Sequence, residues 1–191
     1  MNMTTICLIR HGETDWNAAG KLQGKTDIPL NDTGRKQAMK CATYLNSEDY
    51  DELICSPLRR AKETAEIINK QLQLPFKIME AFKERSFGKA EGMTIAERNE
   101  AYPDRNFPNQ EEREDFQARV MGGIAKVKEQ YPNKRILLVA HGAVINAILS
   151  ELSDGEIGSG KTKLMNGCIS NIHVQQDDWK VRDYNQTEHL S

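Results

Sequence analysis

A chain of 191 residues, 38% apolar and 28% charged, has the material for one domain with a substantial core. Its net charge of −2 excludes the basic footprint of a nucleic-acid binder. No apolar run approaches the roughly 20 residues that a membrane-spanning helix needs. Met1 to Arg10 lacks the apolar stretch of a signal peptide. The cysteines, Cys7, Cys41, Cys55 and Cys168, form no C-x-x-C pair and read as small buried residues, not as a disulfide or metal framework. A cytoplasmic protein without membrane or nucleic-acid partners is expected.

Thr4 to Arg10 is a compact β-branched and aliphatic run that predicts a buried strand ending at His11-Gly12. Glu13 to Leu30, with Gly20, Gly24, Asp27 and Pro29, reads as a loop. Thr33 is placed to cap a helix running to about Leu45. Leu53 to Ser56 predicts a second strand. Pro57 suits the first turn of a helix whose apolar stripe is Ala61, Ala65, Ile68 and Leu72. Phe76 to Met79 is a third strand candidate. The polar stretch from about 80 to 110 reads as an inserted cap with short helices. Glu111 to Gln130 predicts a longer helix, weakened at Gly122-Gly123. Arg135 to Ala140 is a strand that again runs into a His-Gly pair, His141-Gly142. Val144 to Leu152 predicts a helix, and Cys168 to Val174 and Trp179 to Tyr184 the last two strands. This alternation argues an α/β fold, a mostly parallel central sheet with helices on both faces, in one domain over 1–191. Ligands in such folds bind beyond the carboxyl ends of the strands, where both His-Gly pairs fall.

The chemistry-bearing residues gather on that edge. A neutral imidazole at His11 becomes a nucleophile once its second nitrogen is fixed by a hydrogen bond. Arg10 beside it can clamp an oxyanion in bidentate fashion, and Gly12 leaves room for a phosphate to approach the backbone. Ser56 to Ala61 sets an arginine pair, Arg59-Arg60, at a strand-to-helix junction. Lys83 to Gly92 supplies a carboxylate from the cap. Two histidines, two arginines and a glutamate suffice for phosphoryl transfer without a metal.

The block Leu8-Ile9-Arg10-His11-Gly12-Glu13-Thr14-Asp15-Trp16-Asn17 resembles the N-terminal signature of the histidine phosphatase superfamily, phosphoglycerate mutase-like branch. The resemblance continues through Leu22-Gln23-Gly24, Pro29 to Gly34, Ser56 to Ala61, Lys83 to Gly92 and Val139 to Gly142, in the family's order. It implies that His11 accepts the phosphoryl group, that Arg10, Arg60 and His141 bind its oxygens, and that Glu84 gives the leaving oxygen its proton. Arg60, not Arg59, matches the family arginine, since it immediately precedes the small residue Ala61. Asn17, Gln23 and Gly24 match positions lining the substrate entrance.

The resemblance thus implies a metal-independent, cofactor-free phosphatase acting on a small phosphorylated metabolite. A mutase that returns the phosphate to its substrate is the alternative, disfavoured because true mutases carry extra segments that 191 residues leave little room for. A non-catalytic phosphate-ligand binder is disfavoured by the complete residue set. The cap departs from the commoner pattern at Pro108 to Arg113, so the resemblance does not carry a substrate over. Phe82, Phe87, Tyr102 and Phe107 read as the cap's own small core, or as flanks of an apolar substrate moiety. Gly155 to Thr162 spells the P-loop pattern G-x-x-x-x-G-K-T, but it lacks a preceding strand and a following helix and is expected to be a surface loop.

Overall fold

The computed structural model describes residues 3–191. Its six strands are β1 (Met3–Arg10), β2 (Glu52–Cys55), β3 (Phe76–Ile78), β4 (Arg135–Ala140), β5 (Ile169–Gln175) and β6 (Asp178–Gln186). They form one sheet in the order β3-β2-β4-β1-β5-β6. The first four strands in that order pair parallel, and β5 and β6 add an antiparallel ribbon.

The apolar runs of β1 and β4 are unbroken because both sheet faces are covered. Ile6 and Leu8 of β1, with Ile136 and Leu138 of β4, face one core together with helices α5 (Arg113–Gln130) and α6 (Gly142–Leu152). Cys7, Ile9, Leu137 and Val139 face a second core built by α2 (Asp32–Tyr44) and α3 (Arg59–Leu72). All four cysteines are free and buried, and burial pushes the Cys7, Cys41 and Cys55 thiols up to about 12. Such thiols are packing residues rather than nucleophiles.

Several boundaries differ from the sequence expectation, each for a local reason. α2 is capped by Asn31, whose side chain accepts from the Gly34 amide, and Thr33 lies inside the helix. α3 begins at Arg59, beyond Pro57, because the carboxylate of Asp27 takes the Arg59 amide from across the loop at 2.7 Å. The 13–30 loop contains one helical turn, α1 (Asp15–Ala18), closed by a capping box between Thr14 and Asn17. Between β3 and α5 the only α-helix is α4 (Ile95–Ala101), capped by Thr94 and Glu97 and burying none of its residues. Phe82 does not belong to a separate small core there. It is fully buried in the main core, while Phe87, Tyr102 and Phe107 are half-buried.

Gly12 owes its identity to packing. A Cβ there would land on the carbonyl oxygen of Gly34, and one on Gly34 would land on that of Glu13. The β1 exit and the first turn of α2 therefore touch backbone to backbone, a packing demand on Gly12 that the sequence did not announce.

Gly122 and Gly123 of α5 differ sharply despite being neighbours. A Cβ on Gly122 meets nothing within 4 Å, whereas one on Gly123 would sit 2.7 Å from the Ala81 Cβ. Gly122→Ala should raise stability by about 0.5–1 kcal/mol through helix propensity. Gly123→Ala should lower it by about 1–3 kcal/mol through overpacking. Urea denaturation midpoints of the two variants test this; a gain in both would refute the packing assigned to Gly123.

Candidate active site

The parallel register of β1 on β4 pairs Arg10 with Ala140, so His11 and His141 leave adjacent strand ends at the same level. Adjacent strands lie about 4.8 Å apart, and the two imidazole centroids are 5.2 Å apart, with the rings tilted by 59°. Strand β2 pairs Cys55 with Val139, which sets Ser56 beside His141, and the Ser56 hydroxyl lies 2.7 Å from His141 Nε2. Three strand ends thus converge on one point.

His11 Nδ1 lies 2.6 Å from the carbonyl oxygen of Gly12. A carbonyl only accepts, so Nδ1 carries the proton and Nε2 keeps its lone pair. Burial, reinforced by the charges of Arg60 and Arg10, holds His11 well below the ordinary imidazole value of 6.5. The same causes hold His141 down, so both rings are neutral at pH 7.

Arg10 is half-buried and Arg60 is buried to 1% exposure, and carbonyls rather than carboxylates hold them. Arg10 donates to the Leu164 carbonyl, and Arg60 to those of Gly24 and Thr26. A Cβ on Gly142 would lie 3.3 Å from Arg10 Nε, so the second His-Gly glycine gives that guanidinium its space. Arg10 Nε, Arg60 Nε and His141 Nδ1 are buried with no protein partner. An orphaned buried donor costs roughly 1–3 kcal/mol, and whole domains are stable by only about 5–15 kcal/mol. The two guanidinium N–H groups, with His141 Nδ1 as a third donor where Nε2 accepts the Ser56 hydroxyl, offer the partners an oxyanion would need.

Glu84 Oε2 accepts the Ala143 amide at the start of α6 and Oε1 accepts the Arg85 amide. Those bonds and the two arginines favour the carboxylate, but burial outweighs them and raises the Glu84 pKa. Glu84, Arg10, His11 and Arg60 share the wall of a cavity of ≈ 210 Å³ with Asn17, Gln23 and Gly24. His141 stands behind His11, fully buried. Arg59 is exposed and lies outside the cavity wall.

Other residues that complete the site carry no recognisable sequence signal. Thr64 takes the Gly12 amide, and the Asn166 amide group bridges the His11 carbonyl and the Asn17 side chain. Arg98 of α4 lines the cavity from the far side. Its charge is indistinguishable in sequence from those of surface arginines. The P-loop-like stretch is a closed surface turn: Lys161 Nζ donates to the Gly155 carbonyl and the Gly158 amide to Thr162 Oγ1. It follows helix α6, and its amides do not converge. Among the described residues no cluster of three or more His, Cys, Asp or Glu forms that could hold a metal ion, and no helix is long and apolar enough to cross a membrane.

The family model for the histidine phosphatase superfamily (branch 1) matches residues 6–187. The chain belongs to the histidine phosphatase superfamily. It is 52% identical to a Bacillus subtilis (strain 168) protein named as the uncharacterized phosphatase PhoE, over 99% of this chain and 98% of that protein. It is 32% identical to an Arabidopsis thaliana metal-independent phosphoserine phosphatase, over 99% of this chain and 84% of that one. The solved structure of Bacillus stearothermophilus YhfR superposes with a TM-score of 0.91 at 25% identity, covering 98% of this chain and 100% of that one. Among these histidine phosphatases the chain groups as a phosphatase-type hydrolase with a phosphoglycerate mutase-like fold.

Glu91 ties the site's carbonyls in place. Its carboxylate accepts from the Lys25, Thr26 and Phe87 amides and from the Thr26 hydroxyl. The same segment presents the Gly24 and Thr26 carbonyls to Arg60. Glu91→Ala should therefore lower stability by about 1–3 kcal/mol and weaken inorganic phosphate binding through Arg60. Calorimetric phosphate titration checks it; phosphate affinity equal to that of the parent protein would show that Glu91 does not position Arg60.

Proposed function

We propose that this chain hydrolyses small phosphomonoesters through a phosphohistidine on His11, with Glu84 as the proton donor and no metal ion. The observation that carries this reading is the unprotonated His11 Nε2, fixed by the Gly12 carbonyl, within a cluster of buried donors.

In the first half-reaction His11 Nε2 attacks phosphorus in line, the bond to the substrate oxygen breaks, and protonated Glu84 gives that oxygen its proton. In the second, water attacks phosphorus, the P–N bond breaks, and ionised Glu84 takes the water's proton as inorganic phosphate departs. The chain ends each cycle in its starting protonation state. Arg10 Nε, Arg60 Nε and His141 Nδ1 are the donors for the equatorial oxygens, where charge gathers. Asn17, Gln23 and Gly24 line the entrance. Metal independence is supported by the relative named for it, and hydrolysis over phosphoryl return by the phosphatase that is 52% identical. The segment from about 80 to 110 acts as a cap on the one domain.

The first test is covalent. His11→Ala should abolish phosphate release from 4-nitrophenyl phosphate and acid-labile labelling of the protein; persistent turnover would refute the nucleophile. A mutase, by contrast, would return labelled phosphate to an alcohol and release little.

The second test is the pH profile. The rate requires neutral His11 and protonated Glu84. Lowering the first pKa and raising the second widens the range in which both conditions hold. Activity should persist below pH 6.5 and fall on the alkaline side. Glu84→Gln should slow the first step by roughly 10²–10⁴-fold and remove the alkaline limb. Activity still climbing above about pH 9 would sink the role given to Glu84.

A further inference from the structure

A second cavity, of ≈ 440 Å³, adjoins the catalytic one, and Leu22, Phe87, Ile95 and Arg98 belong to both walls. Binding pockets for organic ligands generally span about 300–1,000 Å³. The inner cavity alone falls below that range and suits a phosphoryl group with a short linker. The outer one has room for a ring-sized body.

The outer wall combines two chemistries. Phe87, Tyr102 and Phe107 supply rings, the last two edge to face with centroids 5.7 Å apart. Ile95, at the junction of the two cavities, is 62% exposed and adds an aliphatic surface to both walls. The wall also carries Arg85, Arg98 and Arg105 but no Asp or Glu.

The three arginines are not equally committed. Arg85 donates to the Glu111 carbonyl and lies over the Phe87 ring, so it is anchored. Arg98 donates through Nη1 to the Met93 carbonyl. Arg105 makes no side-chain bond to a described residue. Burial, with the Arg105 charge adding to it, lowers the Arg98 pKa, so the two cations repel across the cavity. An anion between them relieves that repulsion and satisfies both forks.

Building on the phosphatase reading, we propose that the outer cavity binds the alcohol half of the substrate, and that this half carries an apolar ring and a second anionic group. The ring packs among Ile95, Tyr102 and Phe107, and the anion lies between Arg98 and Arg105. These residues set specificity; the reacting phosphorus stays with His11.

Three esters separate the contributions: 4-carboxyphenyl phosphate has ring and anion, phenyl phosphate the ring alone, and O-phosphoserine an anion without a ring. The carboxylated aryl ester should exceed each of the others in kcat/KM by about tenfold or more. Arg105→Gln, at a side chain that holds nothing else in place, should cut the preference for carboxyphenyl over phenyl phosphate about tenfold, mainly through KM, and Arg98→Gln should do likewise. Phe107→Ala should cut the preference for carboxyphenyl phosphate over phosphoserine. Phosphoserine as the best of the three, or an unchanged carboxyphenyl-to-phenyl ratio in both arginine variants, would overturn the proposal and leave the phosphatase reading standing. Hydrolysis of none of the three, or full hydrolysis by His11→Ala, would instead sink the phosphatase reading and this one with it.

Discussion

The alignment of two parallel strands governs everything that follows in this molecule. Arg10 pairs with Ala140, and the residue after each is a histidine. A one-residue slip would turn every side chain of a strand to the opposite face. It would carry Ile6 and Leu8 out of one core and Cys7 and Ile9 out of the other, so hydrophobic packing on both faces fixes the alignment. The two imidazoles are 130 positions apart in the chain, yet their proximity is enforced by apolar side chains that never touch substrate. The Gly12–Gly34 and Gly142–Arg10 contacts then fix how the chain leaves each strand.

Around those rings the protein sets burial against charge. Burial disfavours every ionised group in the cluster, and the groups respond differently. The imidazoles give up their protons, Glu84 tends to keep its own, and the guanidinium groups stay charged with carbonyl dipoles alone as partners. The result is a fixed excess of positive charge around a small cavity. That charge is what the proposed phosphoryl substrate would complement. Glu91 and the loop from Gly24 to Thr26 supply the scaffold that makes this possible.

The fold class was legible because β1 and β4 carry unbroken apolar runs, Ile6 to Ile9 and Ile136 to Ala140, and the strands alternate with helices of regular period. Boundaries that depend on distant partners were not. Thr33 is a competent cap residue in isolation, as Asn31 is, and no local rule announces that Asp27 will take the first amide of α3. The two histidines could be singled out because each ends a strand in front of a glycine, although Gly12 turned out to serve the chain's own packing. Ser56, Thr64 and Asn166 act through hydrogen bonds to residues distant in the chain, made by common polar side chains, and such bonds leave no trace in spacing or composition. Arg98 was hidden for a related reason. A half-buried arginine differs from its exposed neighbours only in what the tertiary structure places opposite it.

The donors left unpaired at the floor of the site have a consequence for anyone handling the protein. On the phosphatase reading proposed above, an oxyanion held there binds the native chain and not the unfolded one, and so acts as a folding ligand. At a hundred times its dissociation constant such an ion adds about 2.7 kcal/mol to the apparent stability. Melting temperatures taken in phosphate or sulfate buffer and in a bulky organic buffer therefore describe two different species. Only the second reports the stability of the chain by itself.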